Sequence, residues 1–187
     1  MAVISYLPRG GGISEVVTTN TSTLLYSYGD ECTETSGGWT PIKWRGTLSS
    51  LTRTKNADHL YAIGTTNGIM AWGCFGWSTA KKIDVTNYTT LRIVMTGYCN
   101  PGNTGVYFGL VNELLNDKPS NAATNDPGYA SYDWTGGSAG STTPKTVTLD
   151  ISNLTGQYYI YVWSQAIGDG YGAINTGELF VYEVELL

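Results

Sequence analysis

The 187-residue sequence predicts an all-β domain: an antiparallel β-sandwich or barrel of about eight short strands. Three observations carry this. Apolar residues recur with a period of two, and no segment sustains a period of 3.6. Glycine makes up 24 of the 187 residues, well above the usual ~7%, and it falls between the alternating segments, where turns belong. Only 13% of residues are charged, yet 41% are hydrophobic and 12% aromatic, ample for a packed core.

The elements follow in chain order. Residues 1–20 form an N-terminal tail, because Pro8 and Gly10-Gly11-Gly12 oppose regular structure. Val3, Ile4, Tyr6, Leu7 and Pro8, ahead of that glycine hinge, read as an assembly anchor; a frayed terminus is the plain alternative. Residues 21–187 are the sandwich. Thr23 to Tyr28 reads as a strand that stops at Gly29-Asp30. Trp39 to Trp44 follows the turn at Ser36-Gly37-Gly38. Leu60 to Ile63 and Ile69 to Phe75 flank Thr66-Asn67-Gly68. Leu91 to Thr96 alternates, with Leu91, Ile93 and Met95 together, and Val106 to Leu110 does likewise. Val111 to Leu115 reads as a helical turn. Thr146 to Ile151 turns Val147, Leu149 and Ile151 inward. Tyr158 to Trp163 is apolar on both faces. Leu179 to Leu186 places Phe180, Tyr182, Val184 and Leu186 on one face, which makes it a strand paired inside a sheet.

Charge and length exclude several classes. The net charge is −5, so phosphate neutralisation is not the basis of any partner recognition, and no nucleic-acid partner is expected. Apolar runs are far short of the ~20 residues that span a bilayer, so no membrane insertion is expected. No positive n-region with an apolar h-region opens the chain, so no secretory signal is expected. Cys32, Cys74 and Cys99 have neither disulfide-framework nor metal spacing, and read as reduced, mostly buried thiols of a protein folded in a cytoplasm. The many aromatics, hydroxyls and amides are nonetheless the surface chemistry of modules that meet sugars outside cells.

One internal echo stands out. Ile83-Asp84-Val85-Thr86-Asn87-Tyr88-Thr89 and Leu149-Asp150-Ile151-Ser152-Asn153-Leu154-Thr155 share the form apolar-Asp-apolar-hydroxyl-Asn-apolar-Thr. Each reads as a strand that ends in an Asx or Ser/Thr turn, with the apolar residue after Asn plugging the core.

With these segments in view, IDVTNYTTL (83–91) and LDISNLTGQYYI (149–160) resemble turns of the jelly-roll, galactose-binding-like modules found in carbohydrate-binding domains. LYSYGDECTETSGGW (25–39) resembles the opening of such modules in tailed-phage structural proteins, and MAVISYLPRGGG resembles leaders of phage tail and baseplate proteins. The resemblance implies a jelly roll and a non-enzymatic virion protein of tail, fibre or capsid-decoration type that assembles in the host cytoplasm. Its partners would be other virion proteins, copies of itself as a trimer or larger ring, and a glycan. The alternatives are a purely structural capsid or baseplate protein and a free bacterial carbohydrate-binding module. No cofactor is expected from any motif. The resemblance adds a structural calcium near the first and last strands, for which Asp30, Glu31 and Glu183 are the candidates.

Catalysis finds little footing. The single histidine, His59, precedes a strand and reads as structural, so a Ser-His-Asp site lacks a second option. Glu113 and Asp117 are the carboxylates that a glycosidase reading would use. Binding has better candidates. The stretch from Asn112 to Pro144 is longer than ordinary loops and carries Tyr129, Tyr132, Asp133 and Trp134 among turn residues. These pair flat aromatics with polar neighbours, as sugar recognition requires; a protein-docking loop and capping of the core are the alternatives. Trp39 and Trp44 form a second candidate pair, with core packing as their alternative. Trp72 and Trp77 read as core and rim respectively, and Trp163 and Tyr171 as further aromatics near the loop ends.

Overall fold

The computed structural model describes residues 22–44, 48–66, 72–99, 106–112, 114, 116–118, 129–135, 143–167 and 175–187, with the backbone alone at 72, 99, 116–118, 129–135 and 167. The tail, with Val3, Ile4, Tyr6, Leu7 and Pro8, lies outside these residues, as do Glu113 and Tyr171.

Strands that are antiparallel in every described pair but one fold into two sheets packed face to face, as the alternation predicts. In chain order the strands are β1 (Thr23–Ser27), β2 (Trp39–Trp44), β3 (Ser50–Lys55), β4 (Leu60–Thr66), β5 (Trp72–Thr79), β6 (Ile83–Asp84), β7 (Thr90–Cys99), β8 (Val106–Val111), β9 (Asn116–Lys118), β10 (Tyr129–Thr135), β11 (Lys145–Asp150), β12 (Gln157–Ile167) and β13 (Asn175–Leu186). A four-residue helix, α1 (Thr33–Ser36), follows β1. The first sheet runs β11-β7-β13-β4-β3, and β1 pairs with β13 beyond the end of β4. The second runs β10-β8-β12-β5-β2-β9, with β6 against β12.

The pairing is nested. β4 pairs with β13, β5 with β12, β7 with β11 and β8 with β10. A long hairpin wrapped around a core gives this order, and these eight strands are the jelly roll. The other strands are additions at its edges, so the chain carries more strands than the eight expected. β3 escapes the sequence pattern because it is an edge: Leu51 is its one apolar residue, and Arg53 and Lys55 guard it against pairing with another chain. A helical turn was expected over Val111 to Leu115; Val111 instead closes β8, and Glu113 and Leu115 lie outside the described residues.

Leu60 and Ala62, Leu91, Ile93 and Met95, and Leu179, Val181, Val184 and Leu186 face inward from the first sheet. Phe75, Trp77, Val106, Phe108, Leu110, Ile160 and Val162 meet them from the second. Each large side chain contributes ~1.5–3 kcal/mol through burial. Gly64 makes room for the Phe75 ring, which would lie 2.6 Å from a Cβ at that position. Trp77 is 2% exposed, so its expected place at the rim is corrected to the core.

β13 departs from the expected facing. The register with β7 shifts between Val181 and Glu183. This bulge turns Phe180 and Tyr182 outward while Val184 and Leu186 stay in the core. The strand does pair on both sides, and the Leu187 backbone exchanges hydrogen bonds with Thr90.

Both copies of the echo form the same turn. Asp84 Oδ1 accepts from Thr86 N at 3.0 Å, and Asp150 Oδ1 from Ser152 N at 2.9 Å. Tyr88 N donates to Val85 O and Leu154 N to Ile151 O. Val85 and Ile151 fill the core beneath. One copy carries the chain from β6 to β7 and the other from β11 to β12, so both are crossovers between the sheets. They are tied together where Gly156 N donates to Thr86 Oγ1 at 3.0 Å.

Candidate functional site

The sandwich has two outer faces, and each carries aromatics. On the second sheet the face opposite the core holds Ile42, Trp44, Cys74, Val111, Tyr161 and Trp163, with Tyr107, Tyr159 and Leu114 packed against them. Trp44 lies 5.8 Å from Tyr161 and 5.6 Å from Trp163, ring centre to ring centre. Tyr107 stacks on Trp163 at 5.3 Å with 13° between planes, and Gln165 Nε2 donates to its hydroxyl at 2.7 Å. Lys82 Nζ sits over the Tyr159 ring.

Strand order explains why part of this layer is buried. β8 and β9 stand four strand spacings apart in the sheet, about 19 Å. Leu114, on the connection between them, packs on the aromatic layer. Trp44 and Trp163 are each 3% exposed. Tyr107 and Tyr159, on the β10 side, are half-buried.

The stretch expected to be a loop contains β10, an edge strand against β8. Its register sets Tyr129 opposite Val111, Tyr132 opposite Gly109 and Trp134 opposite Tyr107. β12 continues the same rungs, with Tyr159 opposite Val111, Tyr161 opposite Gly109 and Trp163 opposite Tyr107. Partners in register share a face. Tyr129, Tyr132 and Trp134 therefore occupy positions on the outer face, in a grid of three rungs across β10, β8 and β12. Gly109 leaves the middle of the grid without a side chain. Asp133, opposite Phe108, takes an inner-face position.

The other sequence candidates divide. Trp44 joins the aromatic layer and is buried there, which fits packing, the alternative to a ligand contact. Trp39 is five residues earlier and on the opposite face of β2. It is 2% exposed and its Nε1 donates to Leu25 O at 2.8 Å, so it packs in the core. Tyr107, Tyr159, Tyr161 and Trp163 were missed as a group. The signal was present in the run from Tyr158 to Trp163, apolar on both faces, which marks a strand buried on both sides.

His59 is held within its own turn: Asn56 Nδ2 donates to Nε2 at 2.8 Å and Nδ1 donates to Asp58 Oδ1 at 2.7 Å. Each carboxylate proposed for calcium is committed to protein donors. Asp30 accepts from Cys32 N. Glu31 accepts from Lys55 at 2.7 Å and from Trp39 N at 2.8 Å; burial alone would raise its carboxyl, but these donors hold it below the usual range. Glu183 pairs with Arg92. Among the described residues no cluster of three His, Cys, Asp or Glu side chains is placed to hold a metal ion. Asp117 lies in β9, described by its backbone alone. No protein-family model matches the chain, and no curated protein resembles it at a significant level.

Proposed function

We propose that this chain is a non-enzymatic attachment module that holds a glycan on the β10–β8–β12 face of its sandwich and serves as a tail, fibre or capsid-decoration component of a tailed-phage particle. One observation carries the glycan reading: the register that sets Tyr129, Tyr132 and Trp134 beside Tyr107 and Tyr159 on one sheet face around Gly109. Sugar rings stack their C–H faces on aromatic rings. Gln165, Lys82 and the tyrosine hydroxyls supply polar partners for sugar hydroxyls. The virion reading rests on the resemblance of segments 25–39, 83–91 and 149–160 to such modules, and on the anchor-like start of the chain.

A glycan array probed with the wild-type protein and Trp134→Ala tests the first part. We expect the wild type to bind at least one glycan class that the variant loses; an array on which Trp134→Ala loses no glycan that the wild type binds sinks the grid site. Deleting residues 1–12 tests the second. The expected variant folds and fails to join the particle, and normal incorporation rejects the anchor.

A further inference from the structure

The outer face of the first sheet carries a separate aromatic strip. Tyr61 on β4 and Phe180 on β13 are paired in register, 5.0 Å between ring centres. His59 lies 5.4 Å from Phe180 and 5.5 Å from Tyr182. Tyr28, held at φ +43° just past β1, approaches Tyr182 at 6.3 Å and is 56% exposed. From Glu178 to Tyr182 the strip runs ~14 Å along β13, the scale of a short oligosaccharide. Its interplanar angles of 43–90° leave ring faces and edges staggered rather than stacked shut.

Carboxylates stand at both ends. Asp58, 67% exposed, sits beside His59. Glu178 accepts from the Tyr61 hydroxyl at 2.7 Å. Among the described residues no lysine or arginine pairs with either. Arg92, a cation on this face, is held between Glu183 and Glu185. Burial first, and then Glu178, raise the phenols of Tyr61 and Tyr98; burial and then Asp58 raise that of Tyr182.

We propose that this strip is a second binding site, distinct from the β10–β8–β12 grid, and that it takes a cationic glycan: an oligosaccharide of hexosamine units with free ammonium groups. The rings receive the C–H faces of the sugars. The ammonium groups lie against ring faces and beside Asp58 and Glu178, where cation–π attraction and ion pairing act together. An acidic glycan meets two carboxylates and no available described cation, and is turned away.

The test is a titration of the 15N-labelled full chain with three tetramers: glucosamine, N-acetylglucosamine and galacturonic acid. We expect the glucosamine tetramer to shift amides of β4 and β13, to bind about tenfold more tightly than the acetylated one, and to weaken as salt rises. The galacturonic tetramer should not bind there. Asp58→Asn with Glu178→Gln, both at the surface, should abolish the preference for the amine, Tyr182→Ala should remove the site, and Trp134→Ala should leave it intact. Equal affinity for the acetylated tetramer, an absence of binding at β4 and β13, or loss through Trp134→Ala in place of Tyr182→Ala overturns the proposal. Failure of the grid reading shows instead as glycan-array binding unaffected by Trp134→Ala, so the two fail separately.

Discussion

Asp84 and Asp150 show how single residues hold the crossovers. Each carboxylate is fully exposed, yet its own turn holds it below the ordinary aspartate range, through the hydroxyl two residues on and then through that residue's backbone N–H. A carboxyl depressed in the folded state contributes stability that is complete above its unfolded value, ~3.9, and is lost as pH falls through the folded value. Asp84→Ala combined with Asp150→Ala should therefore lower Tm near neutral pH, and the deficit should shrink toward pH ~2. The paired Asn variants keep an acceptor and should recover part of the loss. Thermal melts across this range check the expectation; a deficit unchanged in acid would assign the effect to the backbone and not the carboxylate. These turns were legible in the sequence because their chemistry spans two residues. Trp39 and Trp44 were not, because what decides their roles is which side of β2 faces the second layer, and nothing within two residues of either encodes that.

At the scale of elements, bulges separate what alternation predicts from what forms. In β10 the aromatics fall at spacings of three and two, and the register shift between Tyr129 and Ser131 accounts for the extra residue. With the period broken and Pro127-Gly128 and Gly136-Gly137 on either side, the segment reads as loop. In β13 the bulge at Tyr182 reconciles two half-strands of opposite phase: Leu179 and Val181 before it, Val184 and Leu186 after it, all in the core. Deleting Tyr182 should force one half to turn its core residues to solvent, since a one-residue slip in register exchanges the faces. The expected product lacks a cooperative thermal transition and binds a hydrophobic dye, whereas Tyr182→Ala, which keeps the residue count, melts cooperatively. A deletion variant as stable as the wild type would show that the bulge is not needed to hold the two halves in phase.

For the whole molecule, strands far apart in the chain close the fold. β1 pairs Thr23 with Leu186 and Leu24 with Glu185, and seats Leu25 and Tyr26 in the core. Leu25 O takes the Trp39 indole N–H, and Tyr28 N donates to Tyr182 O at 2.7 Å. Turn spacing predicted a sandwich or barrel and the resemblance implied a jelly roll, but the β1 closure could not be read, since a short strand does not announce a partner so far along the chain. Two consequences belong to this scale. Long-range pairing must wait for large loops to close, so refolding should fall in the millisecond-to-second range typical of β-sandwiches, as stopped-flow tryptophan fluorescence would show. Removing residues 1–28 should be far worse than removing 1–12. It takes away two buried side chains worth ~1.5–3 kcal/mol each and leaves one side of Glu183–Leu186 without its strand, against a total stability of only ~5–15 kcal/mol. Denaturant titration should show a midpoint sharply lowered or absent for the longer deletion and near wild type for the shorter. Equal midpoints would mean that the sheet closes without β1, and that the jelly roll from β4 to β13 is self-sufficient.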